Sequence, residues 1–147
     1  MAYDDQFLYL AVHCREAPGV AYPPGEGVRP RDPDLSAHDR VDVLVDLDRD
    51  FVTYFRLTVD HRGWTGEACW GDATWNPTWF VAAAASEGNW TVEAAIPLDQ
   101  LTGQYPKSRD VWAVGIQRTV PGVGFQSWNT PAATEVIPEG FGYVIFQ

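Results

Sequence analysis

The chain has 147 residues, 46% of them hydrophobic and 14% aromatic, enough for one domain spanning 1–147 to bury a core without metal or disulfide staples. Its 20 acids against 10 bases give a formal net charge of −10, which repels phosphate backbones and anionic lipid and argues against nucleic acid and membrane surfaces as partners. No apolar run reaches the ~20 residues that span a bilayer, and no stretch has the layout of a signal peptide.

At the start, "YDDQ" (3–6) has turn chemistry, and "FLYLAVHC" (7–14) alternates with Leu8, Leu10, Val12 and Cys14 on one side, the pattern of a strand. The turn implies a hairpin whose first arm lies upstream, so the sequence reads as beginning inside that hairpin, with its first strand missing. From Ala17 to Asp34 the chain carries five prolines and three glycines, too many breakers for a ladder; a long surface loop over 17–38 is expected.

"RVDVLVDL" (40–47) and "TYFRLTVD" (53–60) alternate around the turn "DRDF". Setting Val41, Val43, Val45 and Leu47 against Phe55, Leu57 and Val59 as core leaves Asp42, Leu44, Asp46, Tyr54, Arg56 and Thr58 on an opposite, polar face. Residues 63–79 pack Trp64, Trp70, Trp75 and Trp79 among glycines and turn residues and read as irregular. "FVAAAAS" (80–86) leads to "NWTVEAAIP" (89–97), where Trp90, Val92, Ala94 and Ile96 share one strand face and Glu93 lies on the other. Pro97 ends that strand, and "PLDQL" (97–101) leaves room for one helical turn. "VWAVGIQRTV" (111–120) alternates Trp112, Val114, Ile116 and Arg118 against Ala113, Gly115 and Gln117, and "FGYVIF" (141–146) closes the chain. About eight short strands with essentially no helix predict an all-β fold, an antiparallel sandwich of two sheets in the immunoglobulin or jelly-roll manner.

Chemistry is sparse. Cys14 and Cys69 form no C-x-x-C pair and are too few for a metal cluster; buried thiols are the first reading and a disulfide the second. Glu93 with Asp42 or Asp46 could pair carboxylates as glycosidases do. The chain nevertheless lacks nucleophile, zinc-protease, P-loop and dinucleotide motifs, so no enzyme is expected. Glu93 is expected instead to pair with Arg56 or Arg118. Asp46, Asp48 and Asp50 alternate like the start of a calcium loop, but Phe51 and Leu57 stand where an EF-hand needs Gly and Glu, and a solvated hairpin tip is the first reading. Trp90 and Trp112 fall on core faces. The segment 118–129 gathers Arg118, Gln126, Trp128 and Asn129, a mixture of flat apolar surface and planar donors suited to sugar hydroxyls.

The segments "YDDQFLYLAV", "DRVDVLVDLDRDFVTYFRLTVDHRG", "WTVEAAIPLDQL" and "VWAVGIQRTVPGVGFQSW", with the terminal "FGYVIF", together resemble the family 9 carbohydrate-binding modules and their wider DOMON-like relatives. The resemblance runs over nearly the whole chain. It implies a β-sandwich from a larger secreted protein, hence an extracellular or periplasmic setting, other domains of a longer parent chain as neighbours, and a saccharide as ligand. Characterised members hold sugar chain ends between two facing tryptophans, with arginines and an amide on the hydroxyls, and carry structural calcium. On that pattern Arg56 and Arg118 take the sugar-holding positions, Asn129 the amide and Trp128 one wall. The other wall's place reads "DLSAH", with His38 and no tryptophan. Some DOMON-like relatives bind haem through methionine; the sole methionine here is Met1, and haem is not expected.

The resulting expectation is a non-catalytic module requiring no cofactor, structural calcium being allowed. It binds a saccharide at an edge made of Arg56, Arg118, Gln126, Trp128 and Asn129, with Asp42 and Glu93 orienting the arginines. The alternative is an accessory β-sandwich that binds no sugar and docks on another domain or protein, since exposed tryptophans are also typical interface anchors.

Overall fold

A computed structural model describes all residues, 1–147. Two antiparallel sheets stack face to face. The first contains β1 (Ala2–Tyr3), β2 (Phe7–Arg15), β6 (Phe80–Ser86) and β7 (Asn89–Pro97), ordered β1-β2-β7-β6. The second contains β3 (Arg40–Asp46), β4 (Phe55–Asp60), β5 (Thr65–Cys69), β8 (Val111–Val120) and β10 (Gly142–Ile145), ordered β10-β8-β3-β4-β5, and β9 (Gly124–Ser127) pairs with the far half of β8. This is the expected all-β sandwich of antiparallel sheets. The one α-helical turn, α1 (Leu98–Leu101), follows Pro97, and a 3-10 turn spans Pro138–Gly140.

Period-two alternation selects what is buried. Leu8, Leu10 and Cys14 of β2 and Trp90, Val92, Ala94 and Ile96 of β7 face Val41, Val43 and Val45 of β3, Leu57 and Val59 of β4, and Trp112 and Val114 of β8. Together with Leu98, Leu101 and Phe146 they make one core of 17 buried residues. Each fully buried Val, Leu or Ile side chain contributes about 1.5–3 kcal/mol. Trp112 and Phe146 meet edge to face at 4.7 Å.

Three features differ from the sequence reading. There are ten strands: β5 lies in the stretch read as irregular, and β9 in a segment to which no strand was assigned. The inward positions Thr65 and Glu67 of β5 are polar, which hides the strand's alternation. The outer face of the second sheet is not wholly polar: Leu44, Ala113 and Phe141 form a second buried cluster, flanked by Phe51, Tyr54 and Val136. The tryptophans of the 63–79 stretch also separate. Trp75 and Trp79 pack against the core, while Trp70 is exposed.

Turn chemistry holds the hairpins. The Asp4 carboxylate accepts the amides of Gln6 and Phe7 and the Tyr9 hydroxyl, closing β1 onto β2. At the β3–β4 tip Asp46 accepts the amides of Arg49 (2.7 Å) and Phe51 (2.9 Å), two residues in the left-handed region at φ 61° and 58°. Residues 17–38 form no helix or strand, and buried Leu35 anchors them to the sandwich. No helix is long and apolar enough to cross a membrane.

Candidate functional site

Register across the second sheet assembles a polar row. Gln117 of β8 stands opposite Asp42 of β3, Asp42 opposite Thr58 of β4, and Thr58 opposite Gly66 of β5. By the same parity Arg40, Thr119 and Arg56 flank the row on this outer face. Pro33, Leu35 and Ser36 from the long loop and Thr134 from the β9–β10 connection complete the lining. The result is a groove of about 340 Å³ in which only one lining residue is hydrophobic.

The hydrogen bonding inside it is incomplete. The Thr58 hydroxyl donates to Asp42 Oδ1 at 2.6 Å. Arg56 Nε lies 3.8 Å from that same oxygen and, although this atom is buried, it donates to nothing. The Gln117 side chain, on a residue 4% exposed, makes no hydrogen bond to the rest of the chain. Arg40 is partly committed, its Nη1 reaching the carbonyls of Leu35 (3.4 Å), Ser36 (3.2 Å) and His38 (3.5 Å) and holding the loop at the rim. Leaving the buried Arg56 Nε unmatched costs about 1–3 kcal/mol, and a ligand rich in acceptor oxygens would relieve that cost.

The expected residues fall into two groups, since Arg118, Gln126 and Trp128 line a separate pocket of about 270 Å³ that also reaches Gln117. Arg56 and Asp42 are in the groove. Arg118 is not: it lies opposite Val41 in the ladder and points between the sheets, its side chain 12% exposed. Nε and Nη2 form a bidentate pair with Asp39, and Nη2 also reaches the Arg15 carbonyl. The guanidinium carbon sits 5.7 Å from the Trp90 ring centroid. Asp39 is fully used, accepting Trp90 Nε1 at 3.1 Å and the Tyr22 hydroxyl at 2.8 Å as well. The hydrogen bond to Asp39 holds the Arg118 pKa above its usual value. Arg118 is therefore a buried staple, not a free hydroxyl donor.

Gln126 on β9 accepts from Arg118 Nη1 at 3.4 Å and lies outside the groove. Trp128 is 52% exposed, but its ring lies over Gly142, where an added Cβ would come within 3.0 Å, and its Nε1 donates to the Val114 carbonyl at 3.0 Å. It walls no part of the groove, whose lining holds no aromatic residue. Asn129 is buried, with Oδ1 accepting the Ile116 amide at 3.2 Å.

Glu93 corrects a further expectation. It stands between Ala11 and Ala82 in the ladders of the first sheet, faces away from the core and forms no ion pair, so it orients neither arginine. Asp42 and Asp46 lie on the outer face of the opposite sheet. With sheets stacked ~10 Å apart, Glu93 pairs with neither as a glycosidase would need.

Sequence reasoning passed over Gln117, Thr58, Arg40 and Thr119 as site residues. Alternation had placed Gln117 on the side opposite Trp112, but only the pairing of β8 with β3 brings it beside Asp42.

The Asp46, Asp48 and Asp50 carboxylates each bring one oxygen to within 4.8 Å of the others. Three carboxylates supply part of the 6–8 oxygen ligands that calcium takes. Both Asp46 oxygens already accept amides, and Asp50 Oδ1 accepts those of Val52 and Thr53 at 2.7 Å each. Burial, with Asp48 and Asp50 adding to it, raises the Asp46 pKa. Cys14 and Cys69 are both free thiols.

No protein-family model matches the chain, and no curated protein does. Among solved structures, a family 9 carbohydrate-binding module from Caldicellulosiruptor kristjanssonii in complex with glucose superposes with a TM-score of 0.67 over 99% of this chain and 73% of that one. The chain has the fold of a family 9 carbohydrate-binding module. The same module in complex with cellotriose gives a TM-score of 0.65 over 99% of this chain and 71% of that one. A proposed carbohydrate-binding protein from Bacteroides uniformis ATCC 8492 gives 0.63 over 96% and 72%. Sequence identity is 15%, 15% and 14%, so the family 9 likeness is one of architecture.

Proposed function

We propose that this chain is a non-catalytic carbohydrate-binding domain of an extracellular or periplasmic protein, and that it holds a saccharide in the groove formed by Arg56, Asp42, Thr58 and Gln117. The observation that carries this reading is the buried Arg56 Nε without a partner, set beside Asp42 on the floor of a polar groove. Support comes from the fold, since matching family 9 modules were solved with glucose and cellotriose bound. Sugar hydroxyls donate and accept together, and the guanidinium, carboxylate and amide here offer both functions. No carboxylate pair spans the groove, whose single acid is Asp42, and so binding without hydrolysis is the expected chemistry.

Isothermal titration with glucose, cellotriose and a panel of other mono- and oligosaccharides tests the proposal, alongside Arg56→Gln and Gln117→Ala. A saturable isotherm that both substitutions weaken at least tenfold, with unchanged circular dichroism, supports it. A well-folded protein that binds no saccharide sinks it. The docking alternative would then take over, because the outer face of the first sheet carries an apolar cleft of about 540 Å³ lined by Met1, Tyr9, Ala11, Phe80, Ala82 and Ala95.

A further inference from the structure

The groove's charge and lining say which sugars suit it; this step rests on the binding reading above. Two guanidiniums, Arg40 and Arg56, line it against a single carboxylate, Asp42, on a chain whose net charge is −10. Of the neighbouring acids, Asp60 is neutralised by Arg62 at 2.6 Å, and Asp34, exposed at the rim beside Ser36, offsets part of the Arg40 charge, which leaves Arg56 as the guanidinium facing the groove floor. A local excess of positive charge on an acidic protein concentrates anions at that place.

Arg56 is only loosely engaged. Its Nε stands 3.8 Å from Asp42 Oδ1, beyond hydrogen-bond distance, and that oxygen already receives the Thr58 hydroxyl. The guanidinium therefore keeps donors free, and a planar fork of donors matches a carboxylate better than any single hydroxyl does. Ser36, Thr58, Gln117, Thr119 and Thr134 surround it with hydroxyl and amide groups. No aromatic side chain is present to stack on the apolar face of a neutral pyranose.

We infer that the groove takes an acidic saccharide, a uronic acid residue whose carboxylate pairs with Arg56 while Gln117, Thr58 and Thr119 meet its ring hydroxyls. The hydroxylated half of such a ligand uses the polar floor, and the carboxylate supplies the affinity that stacking would otherwise give. A guanidinium–carboxylate pair, charged on both sides and able to form two parallel hydrogen bonds, is stronger than a bond from the same guanidinium to a neutral hydroxyl, so a uronate should bind roughly tenfold more tightly than the matching neutral sugar.

The test is calorimetric titration of the wild-type chain and of Arg56→Gln and Arg56→Lys with D-glucuronate, D-galacturonate, D-glucose and acetate, at low and high salt. Expected is a roughly tenfold preference for a uronate over glucose, abolished in Arg56→Gln, partly kept in Arg56→Lys and reduced by salt. Glucose binding as tightly as either uronate would overturn the acidic assignment and leave the saccharide reading standing. Acetate binding as tightly as the uronates would overturn it too, marking an anion site indifferent to sugar. No binding of any of the four to a folded protein would overturn both readings.

Discussion

Asp39 and Arg118, 79 residues apart in the chain, meet as a bidentate ion pair that joins the strands at one end of the sandwich. The same carboxylate takes Tyr22 from the long loop and Trp90 from β7, and the same guanidinium takes the Arg15 carbonyl at the end of β2. One contact thereby ties the loop to both sheets. Removing Asp39 leaves Arg118 charged and largely buried, a loss of about 3–5 kcal/mol. Asp39→Ala should therefore lower the melting temperature by roughly 10 °C, whereas Asp39→Leu with Arg118→Met should recover much of it. Differential scanning calorimetry decides; an Asp39→Ala melt within a degree of wild type would show that the pair holds little.

Gly115 is where Phe141 and Asn129 come down on the outer face of β8. A Cβ there would lie 2.8 Å from Phe141 Cε1 and 2.9 Å from Asn129 Nδ2, and both of those side chains are buried. Gly115→Ala should cost about 1–3 kcal/mol by overpacking. In a nitrogen-15 spectrum the Ile116 amide, bonded to Asn129, should move most; an unchanged melt and spectrum would contradict the tight fit.

Cys14 should be chemically quiet. Burial pushes its thiol pKa from 9.0 up to about 11, Arg118 pulling it back and Asp39 adding to the rise. The folded state disfavours the thiolate, so this contribution is complete below pH 9 and disappears as pH rises from about 9 through about 11. Mass spectrometry after iodoacetamide at pH 8 should find Cys14 unmodified until denaturant is added. Cys14→Ala should flatten the alkaline fall in stability, and rapid native alkylation of Cys14 would refute its burial.

The acid limb should slope the other way. Hydrogen bonds from turn amides hold the carboxyls of Asp4, Asp50 and Asp72 below their usual value, and the Ser36 hydroxyl followed by its amide does the same for Asp34. Each adds stability that is present above that value and is lost as pH falls through the lowered one. Asp46, whose pKa burial raises, acts in the opposite sense. With four groups against one, thermal melts between pH 6 and pH 2 should fall steadily below about pH 4. Asp4→Asn should make that limb shallower.

Calcium should leave the fold indifferent, since both Asp46 oxygens and Asp50 Oδ1 already accept amides of their own turn. Melts with calcium and with a chelator should coincide. A saturable calcium-dependent rise that Asp48→Asn removes would establish an ion at the β3–β4 tip.

Strand faces were legible wherever the inward residues were apolar, as with Trp90, Val92, Ala94 and Ile96. β5 was not, because its inward Glu67 is satisfied by the Thr65 hydroxyl and Trp79 Nε1 instead of by apolar contact. Half of the groove was legible too: Arg56 and Asp42 belong to one hairpin, whose turn sets their register. Gln117 arrives from a strand paired across the sheet, and chain order does not disclose that neighbour. For Arg118 the alternation itself pointed inward, with Trp112, Val114 and Ile116; buried Asp39, just before β3, was the partner that made such a position tolerable.

Glu93 stands alone on the broad alanine-rich face of the first sheet, with Ala11 and Ala82 as its ladder neighbours. Two copies of the domain brought together on that face about a central two-fold axis would press carboxylate against carboxylate in surroundings poor in water, and like charges there repel strongly. The face can accept a cover that brings a base, but it discourages stacking of the domain upon itself. A single carboxylate among the alanines thus works against self-stacking on this face.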